Sequence, residues 1–177
     1  MDGVDTATKA RLARGEVLVA VERVAGSKAP RLVVQAMIDV PPDKVWDCID
    51  KSARYETFMP RVKRSEELSR DGDAVRTRLT VAMPFPMKDL SATTRAHHTV
   101  TPGERWVRRW RLESGDYKRN EGAWTFTPFD GDPGRTYAHY QIIVEPRIPV
   151  PRFVRAGVQE RAMPSMIEAL RTEARRR

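Results

Sequence analysis

The clearest pattern along the chain is a change of hydrophobic period. In AVRTRLTVAM, Val75, Thr77, Leu79, Val81 and Met83 share one face, and Arg76, Arg78 and Thr80 take the other. DLSATTRAHHTV, ERWVRRWRLE, EGAWTFTPF and RTYAHYQIIVE predict further strands, punctuated by the turn sequences TPGE, SGD and DGDPG. Consecutive strands with short turns predict an antiparallel meander rather than a parallel sheet. Upstream, EVLVAVERV (16–24) and RLVVQAMIDV (31–40) predict two more strands joined through GSKAP.

Helical spacing frames these strands. Thr6 to Ala13 is a short, weakly amphipathic helix. PPDKVWDCID sets Pro42 at a first helical position and Asp43 in the first turn, with Val45, Trp46 and Ile49 on one face. SARYETF predicts a second short helix ending at Pro60. The last segment, PRFVRAGVQERAMPSMIEALRTEARRR, reads as one long helix with a stripe of Val154, Val158, Ala162, Met166 and Leu170, flanked by Phe153, Met163 and Ile167. Pro164 lies inside it and predicts a kink or a lost hydrogen bond. A strongly curved sheet wrapped around this helix buries the stripe compactly and leaves an interior space on the concave side.

MPFPMKD (83–89) interrupts the pattern. Two prolines bracket Phe85, and each lacks the backbone donor a sheet ladder needs. They end the strand of Val81 and Met83 and open an apolar loop. That loop is either a gate at the pocket rim, with Phe85 and Met87 facing the ligand path or the C-terminal helix, or a plain hairpin cap over the core.

Composition narrows the class. A chain of 177 residues suits one domain with a genuine core. The single cysteine, Cys48, excludes an internal disulfide framework and a thiolate zinc site. The start carries no apolar core of signal-peptide length, and VLVAV is far too short to span a bilayer, so cytoplasm is the default compartment. The net charge of +8 invites a polyanionic partner. Acidic residues are interspersed, however, and only RTEARRR is a local run, which favours a solvated basic surface.

In ERWVRRWRLE, Trp106, Arg108, Trp110 and Leu112 share a face. If that face is concave, Arg108 enters an apolar interior and needs an acidic partner or an anionic or carbonyl ligand group. Otherwise its stem packs on tryptophan and its head reaches solvent. The alternation puts most arginines opposite the tryptophans, which argues against base stacking and nucleic-acid binding. His97 and His98 face opposite sides of a strand and cannot share one metal site, so no metal is expected. His98 shares a face with Leu90, Ala92 and Ala96; it is either a hydrogen-bonded core residue or an acid–base group. Asp47 and Asp50 read as solvated helix surface. There is no G-x-S-x-G, P-loop or dinucleotide fingerprint, and no cofactor is expected. Met37, Met83, Met87, Met163 and Met166 fall near the cavity wall, where thioethers suit an adaptable apolar ligand or fill core.

GEVLVAVERVAGS followed by AMIDVPPDKVWDCI resembles the opening of a START domain, the StAR-related lipid-transfer branch of the helix-grip (SRPBCC, Bet v 1-like) superfamily. That superfamily also holds polyketide cyclases and coenzyme-Q-binding proteins. ARYETFMPRVKRSEEL, PFPMKDLSATTR, NEGAWTFTP and PRIPVPRF…MPSMIEALR are similar to later START segments in the same order, so the resemblance runs from about Gly15 to Ala174. It implies an α+β helix-grip fold in a single domain over 1–177, with an N-terminal helix extension (1–14), a core (15–174) and a basic tail (175–177). The strongly curved antiparallel sheet would wrap around the long C-terminal helix, with two short helices after the early strands. START domains usually carry Arg-Asp and an aromatic after the proline segment. Here Lys88-Asp89-Leu90 stands there, and no contact of that arginine carries over.

The function implied is binding, with or without transfer, of a hydrophobic small molecule such as a lipid, isoprenoid quinone or polyketide. The expected cavity residues are Trp46, Phe58, Met83, Phe85, Met87, His98, Trp106, Arg108, Trp110, Trp124, Phe126, Tyr140, Val158, Met163 and Met166. The alternative is a polyketide aromatase or cyclase using Arg108 or His98 at the enolising proton. The basic tail and the apolar loop together are expected to allow transient contact with an anionic membrane surface.

Overall fold

The computed structural model describes residues 3–26, 29–151, 154, 157 and 161–177. In chain order the strands are β1 (Leu18–Glu22), β2 (Arg31–Ile38), β3 (Val62–Asp71), β4 (Ala74–Val81), β5 (Leu90–Thr101), β6 (Arg105–Gly115), β7 (Tyr117–Phe129) and β8 (Asp132–Pro146). The helices are α1 (Thr6–Ala13), α2 (Pro42–Asp50), α3 (Tyr55–Phe58, entered through a 3-10 turn at Ser52–Arg54) and α4 (Met163–Arg175).

All eight strands join one antiparallel sheet in the order β1-β2-β8-β7-β6-β5-β4-β3. The early hairpin does not stay beside the meander's first strand. β2 pairs with the last strand, Val34 opposite Tyr140 and Ile38 opposite Thr136. This is the expected α+β helix-grip arrangement.

The alternation read in the sequence becomes the two faces of the sheet. Val75 and Thr77 on β4 and Trp106 and Arg108 on β6 are buried on the concave side, whereas Arg105, Arg109 and Arg111 are exposed. The main core is built there from Val34, Ala36, Ile38, Phe126 and Ala138 of the sheet, Val45 and Ile49 of α2, and Ile167, Leu170 and Ala174 of α4. Arg171 ties α4 to the sheet by donating twice to the Met37 carbonyl, from Nε at 3.1 Å and from Nη2 at 2.6 Å. On the convex side α1 covers a smaller cluster in which Leu12 meets Phe129 and Tyr137.

Two expectations change. The regular C-terminal helix begins at Met163, so Pro164 falls in its first turn and not in its interior. Arg161 and Ala162, just before it, form a wider π-type turn. Val158 and Phe153 of the predicted stripe lie outside the described residues. The strand seen as EGAWTFTPF starts earlier, at Tyr117, because β7 shifts register between Tyr117 and Arg119 and resumes pairing with β8.

The arginine-rich terminus is largely engaged within the chain. Arg177 donates to Asp47 and to Glu173, and Arg176 lies near the same Glu173 carboxylate. Among the described residues, no helix is long and apolar enough to cross a membrane.

Candidate ligand cavity and its buried polar ring

On the concave side of the sheet, bordered also by Val150, Val154, Ala162 and the start of α4, lies a cavity of about 450 Å³. Its walls follow from the strand parity. Leu79 and Val81 come from β4, Leu90 and Ala92 from β5, Trp110 from β6, Trp124 from β7, and Tyr140, Ile142 and Val144 from β8. Met163 and Met166 of α4 close one side, and Met59 and Pro60 after α3 close another. A second depression, of about 320 Å³, shares Pro60, Arg61, Val154 and Ala162 with it and includes Pro84 of the proline loop.

Of the residues the sequence pointed to, Met83, Arg108, Trp110, Trp124, Tyr140, Met163 and Met166 border this cavity. Trp46, Phe58, Trp106 and Phe126 do not; they belong to or pack against the main core. The reason is α2, which packs over the Trp106–Phe126 end of the sheet and fills it with Val45 and Ile49. Only the other half is left open. Phe85 is 97% exposed and Met87 half-buried, and neither borders the cavity. His98 is buried but stands behind Arg108, with the Trp46 ring edge-on to it at 4.9 Å.

Trp110 shows how the wall is shaped. Its indole lies over Gly122, where a Cβ would come within 2.6 Å of the ring, and it stacks on Tyr140 at 5.8 Å between centroids. Its Nε1–H donates to Asn120 Oδ1 at 3.1 Å, which leaves the Asn120 amide N–H groups for the cavity. Thr94, Tyr117 and Tyr140 also border the cavity, and their side-chain hydroxyls have no hydrogen-bonding partner among the described residues. Burial pushes the Tyr140 phenol well above its ordinary value and Tyr117 to about 12, so both stay neutral donors.

The deep wall carries Arg108, 4% exposed. Its Nη1 donates to His98 Nε2 at 2.8 Å and its Nη2 to Thr77 Oγ1 at 3.1 Å. His98 Nδ1 lies 3.1 Å from Asp50 Oδ1. That contact fixes the tautomer: Nδ1 holds the proton and donates to the carboxylate, leaving the Nε2 lone pair for Arg108. On the other branch Ser52 donates to Glu67 at 3.3 Å, so its single proton is used and the Thr77 hydroxyl donates to Ser52 at 2.8 Å. Arg70 then bridges the two carboxylates, donating to Asp50 at 2.9 Å and to Glu67 at 2.8 and 2.9 Å.

The result is a closed ring of two guanidiniums, two carboxylates, a neutral imidazole and two hydroxyls. It joins the end of α2, the 3-10 turn and β3 through β6. Its electrostatics agree with its geometry. The hydrogen bond from His98, then Arg70, hold the Asp50 carboxyl down at about 2 against its burial, and Arg70 lowers Glu67. Asp50, read from the sequence as solvated surface, is therefore a structural anion. Ser52, Glu67 and Arg70 carried no sequence signal, because their meeting depends on how the 3-10 turn sits against β3. Asn120 was legible in principle, since it shares parity with Gly122, Trp124 and Phe126.

Residues 38–171 match the family model described as polyketide cyclase / dehydrase and lipid transport. No curated protein gives a significant sequence match. Among solved structures, the fold is similar to a STAR-related lipid transfer protein from Xanthomonas axonopodis, with a TM-score of 0.77 and 19% identity over 90% of this chain and 93% of that one. It is also similar to the Zhui aromatase/cyclase of a Streptomyces species, at 0.68 and 20% over 84% and 95%. Human StAR-related lipid transfer protein 5 matches at 0.78 and 12% over 92% and 83%. Identities this low establish the fold, and fold alone does not choose among its functions.

Proposed function

The chain belongs to the polyketide cyclase / dehydrase and lipid transport family, and from that premise we propose that it binds one apolar small molecule end-on, the molecule's polar end against Arg108. The observation that carries this reading is a buried guanidinium exposed to an otherwise mostly apolar cavity of about 450 Å³. That volume falls within the roughly 300–1,000 Å³ range of pockets that enclose drug-sized ligands. Burial of the ligand's body on Trp110, Trp124, Met163 and Met166 would supply affinity, and hydrogen bonds to Arg108 would orient it. A lipid, an isoprenoid quinone or a polyketide satisfies this description. Exchange would run past the proline loop, where Phe85 stands free to touch an anionic membrane surface.

Native mass spectrometry of the purified protein, with a thermal-shift panel of lipids and quinones, tests the reading. Mass additions or stabilisation removed by Ala92→Trp, which fills the cavity, support it. Protein recovered without additions and unmoved by the whole panel overturns it.

A second reading has its own support in the Thr94, Tyr117 and Tyr140 hydroxyls, which border the cavity with Arg108 and have no hydrogen-bonding partner among the described residues. A poly-β-ketone folded against them would present carbonyl oxygens to several donors, and Arg108 would stabilise an enolate as it forms. Turnover of such a chain to an aromatic product, lost in Arg108→Gln while ligand retention persists, would favour this reading.

A further inference from the structure

We infer that the cavity selects an apolar ligand whose polar end is a carboxylate, or an oxyanion of the same single charge, over ligands ending in a neutral carbonyl or hydroxyl. This rests on the binding reading above and narrows its ligand class.

An arginine buried among apolar side chains ordinarily meets a carboxylate directly, and the two charges cancel where they touch. Here both contacts of Arg108 are neutral, the His98 lone pair and the Thr77 oxygen. The compensating carboxylates stand further back, Asp50 behind His98 and Glu67 behind Thr77 and Ser52. Asp50 and Glu67 are already engaged by Arg70, and their side chains are 29% and 23% exposed, so water also screens them. The ring therefore balances charge on its solvent side and leaves the cavity side positive.

The rest of the cavity wall does nothing to offset this. Among the described residues that border it there is no aspartate or glutamate; the other charged residue there is Arg61, also a cation. The tyrosines are held neutral by burial. Of the five guanidinium N–H groups on Arg108, two serve the ring contacts, so donors remain for a ligand. A carboxylate would meet them with charge-assisted hydrogen bonds among mostly apolar walls, whereas an alcohol or ketone would leave the cation's charge uncompensated. Thr77, His98, Ser52 and Asp50 are then positioning residues: they fix the guanidinium plane without neutralising it.

The test uses a matched pair of probes, retinoic acid and retinol, a carboxylate and an alcohol on one polyene body. Quenching of Trp110 and Trp124 emission reports binding at about pH 8, where the acid is ionised. The carboxylate should bind on the order of tenfold tighter. Arg108→Gln should bring the two affinities together, and Arg108→Lys, which keeps the charge but not the fork, should restore part of the difference. Ser52→Ala lies outside the cavity wall and should narrow the ratio by letting Thr77 turn; a merely structural role would weaken both probes alike. Equal affinities in the native protein, or a preference that persists in Arg108→Gln, overturns the inference. Should Arg108→Gln fail to fold, an unchanged ratio in Ser52→Ala overturns it. Absence of binding by either probe, together with bare protein in the native spectrum, overturns the cavity reading itself.

Discussion

Arg108 is held in the cavity wall by His98, whose Nε2 accepts from Nη1 at 2.8 Å, and the matching carboxylate, Asp50, is reached only through the far side of that imidazole. A neutral group between cation and anion keeps the geometry fixed and the charges apart. Protonating Nε2 would set two donors face to face, so the arrangement requires the neutral ring.

Removing the relay should be costly. His98→Leu deprives Arg108 and Asp50 of partners at once and is expected to lower stability by about 3 kcal/mol. The double variant Arg108→Met, His98→Leu removes the cation as well and should recover part of that loss. Urea unfolding of the two single variants and the double, read as a cycle, should give a coupling of at least about 1 kcal/mol.

Acid should reveal Asp50. Its folded-state value is lowered from 3.8 to about 2, so its contribution is fully present above the ordinary carboxylate value and is lost as pH falls toward 2. The stability gap between native protein and Asp50→Asn should stay constant at neutral pH and shrink in that acidic window. Denaturant midpoints across the range check this; a gap that widens on acidification would contradict the assignment.

Gly122 should not tolerate a methyl group. An added Cβ would lie 2.3 Å from the Gln141 carbonyl oxygen and 2.6 Å from the Trp110 ring. Gly122→Ala is expected to cost about 2 kcal/mol and to push the indole into the cavity. Thermal unfolding and probe affinity should fall together, and red-edge tryptophan emission should change.

Phe85 should separate stability from exchange. At 97% exposure it buries almost nothing, and Phe85→Ala should leave unfolding free energy within about 0.5 kcal/mol. If the proline loop is the exit, stopped-flow release of a bound probe to vesicles should slow several-fold. Unchanged release would make the loop a plain hairpin cap.

The sequence by itself determined what is local. Alternation put Thr77, Leu79 and Val81 on one side and Arg76 and Arg78 on the other, because successive strand residues must face opposite ways. The same parity put Arg108 on one face with Trp106 and Trp110, and the fold made that face the concave one. Pro84 and Pro86 ended a strand because they lack donors, and turn residues fixed an antiparallel order. The tertiary structure alone decided what depends on contact between distant segments. α2 sealed one half of the concave face, so Trp46, Trp106 and Phe126 became core while Tyr55, Met59 and Tyr117 came to border the cavity. Asp50, Ser52, Glu67, Arg70, Thr77, His98 and Arg108 met because helix end, turn and strands converge on one point. Parity tells which face a side chain takes; only packing tells what waits there.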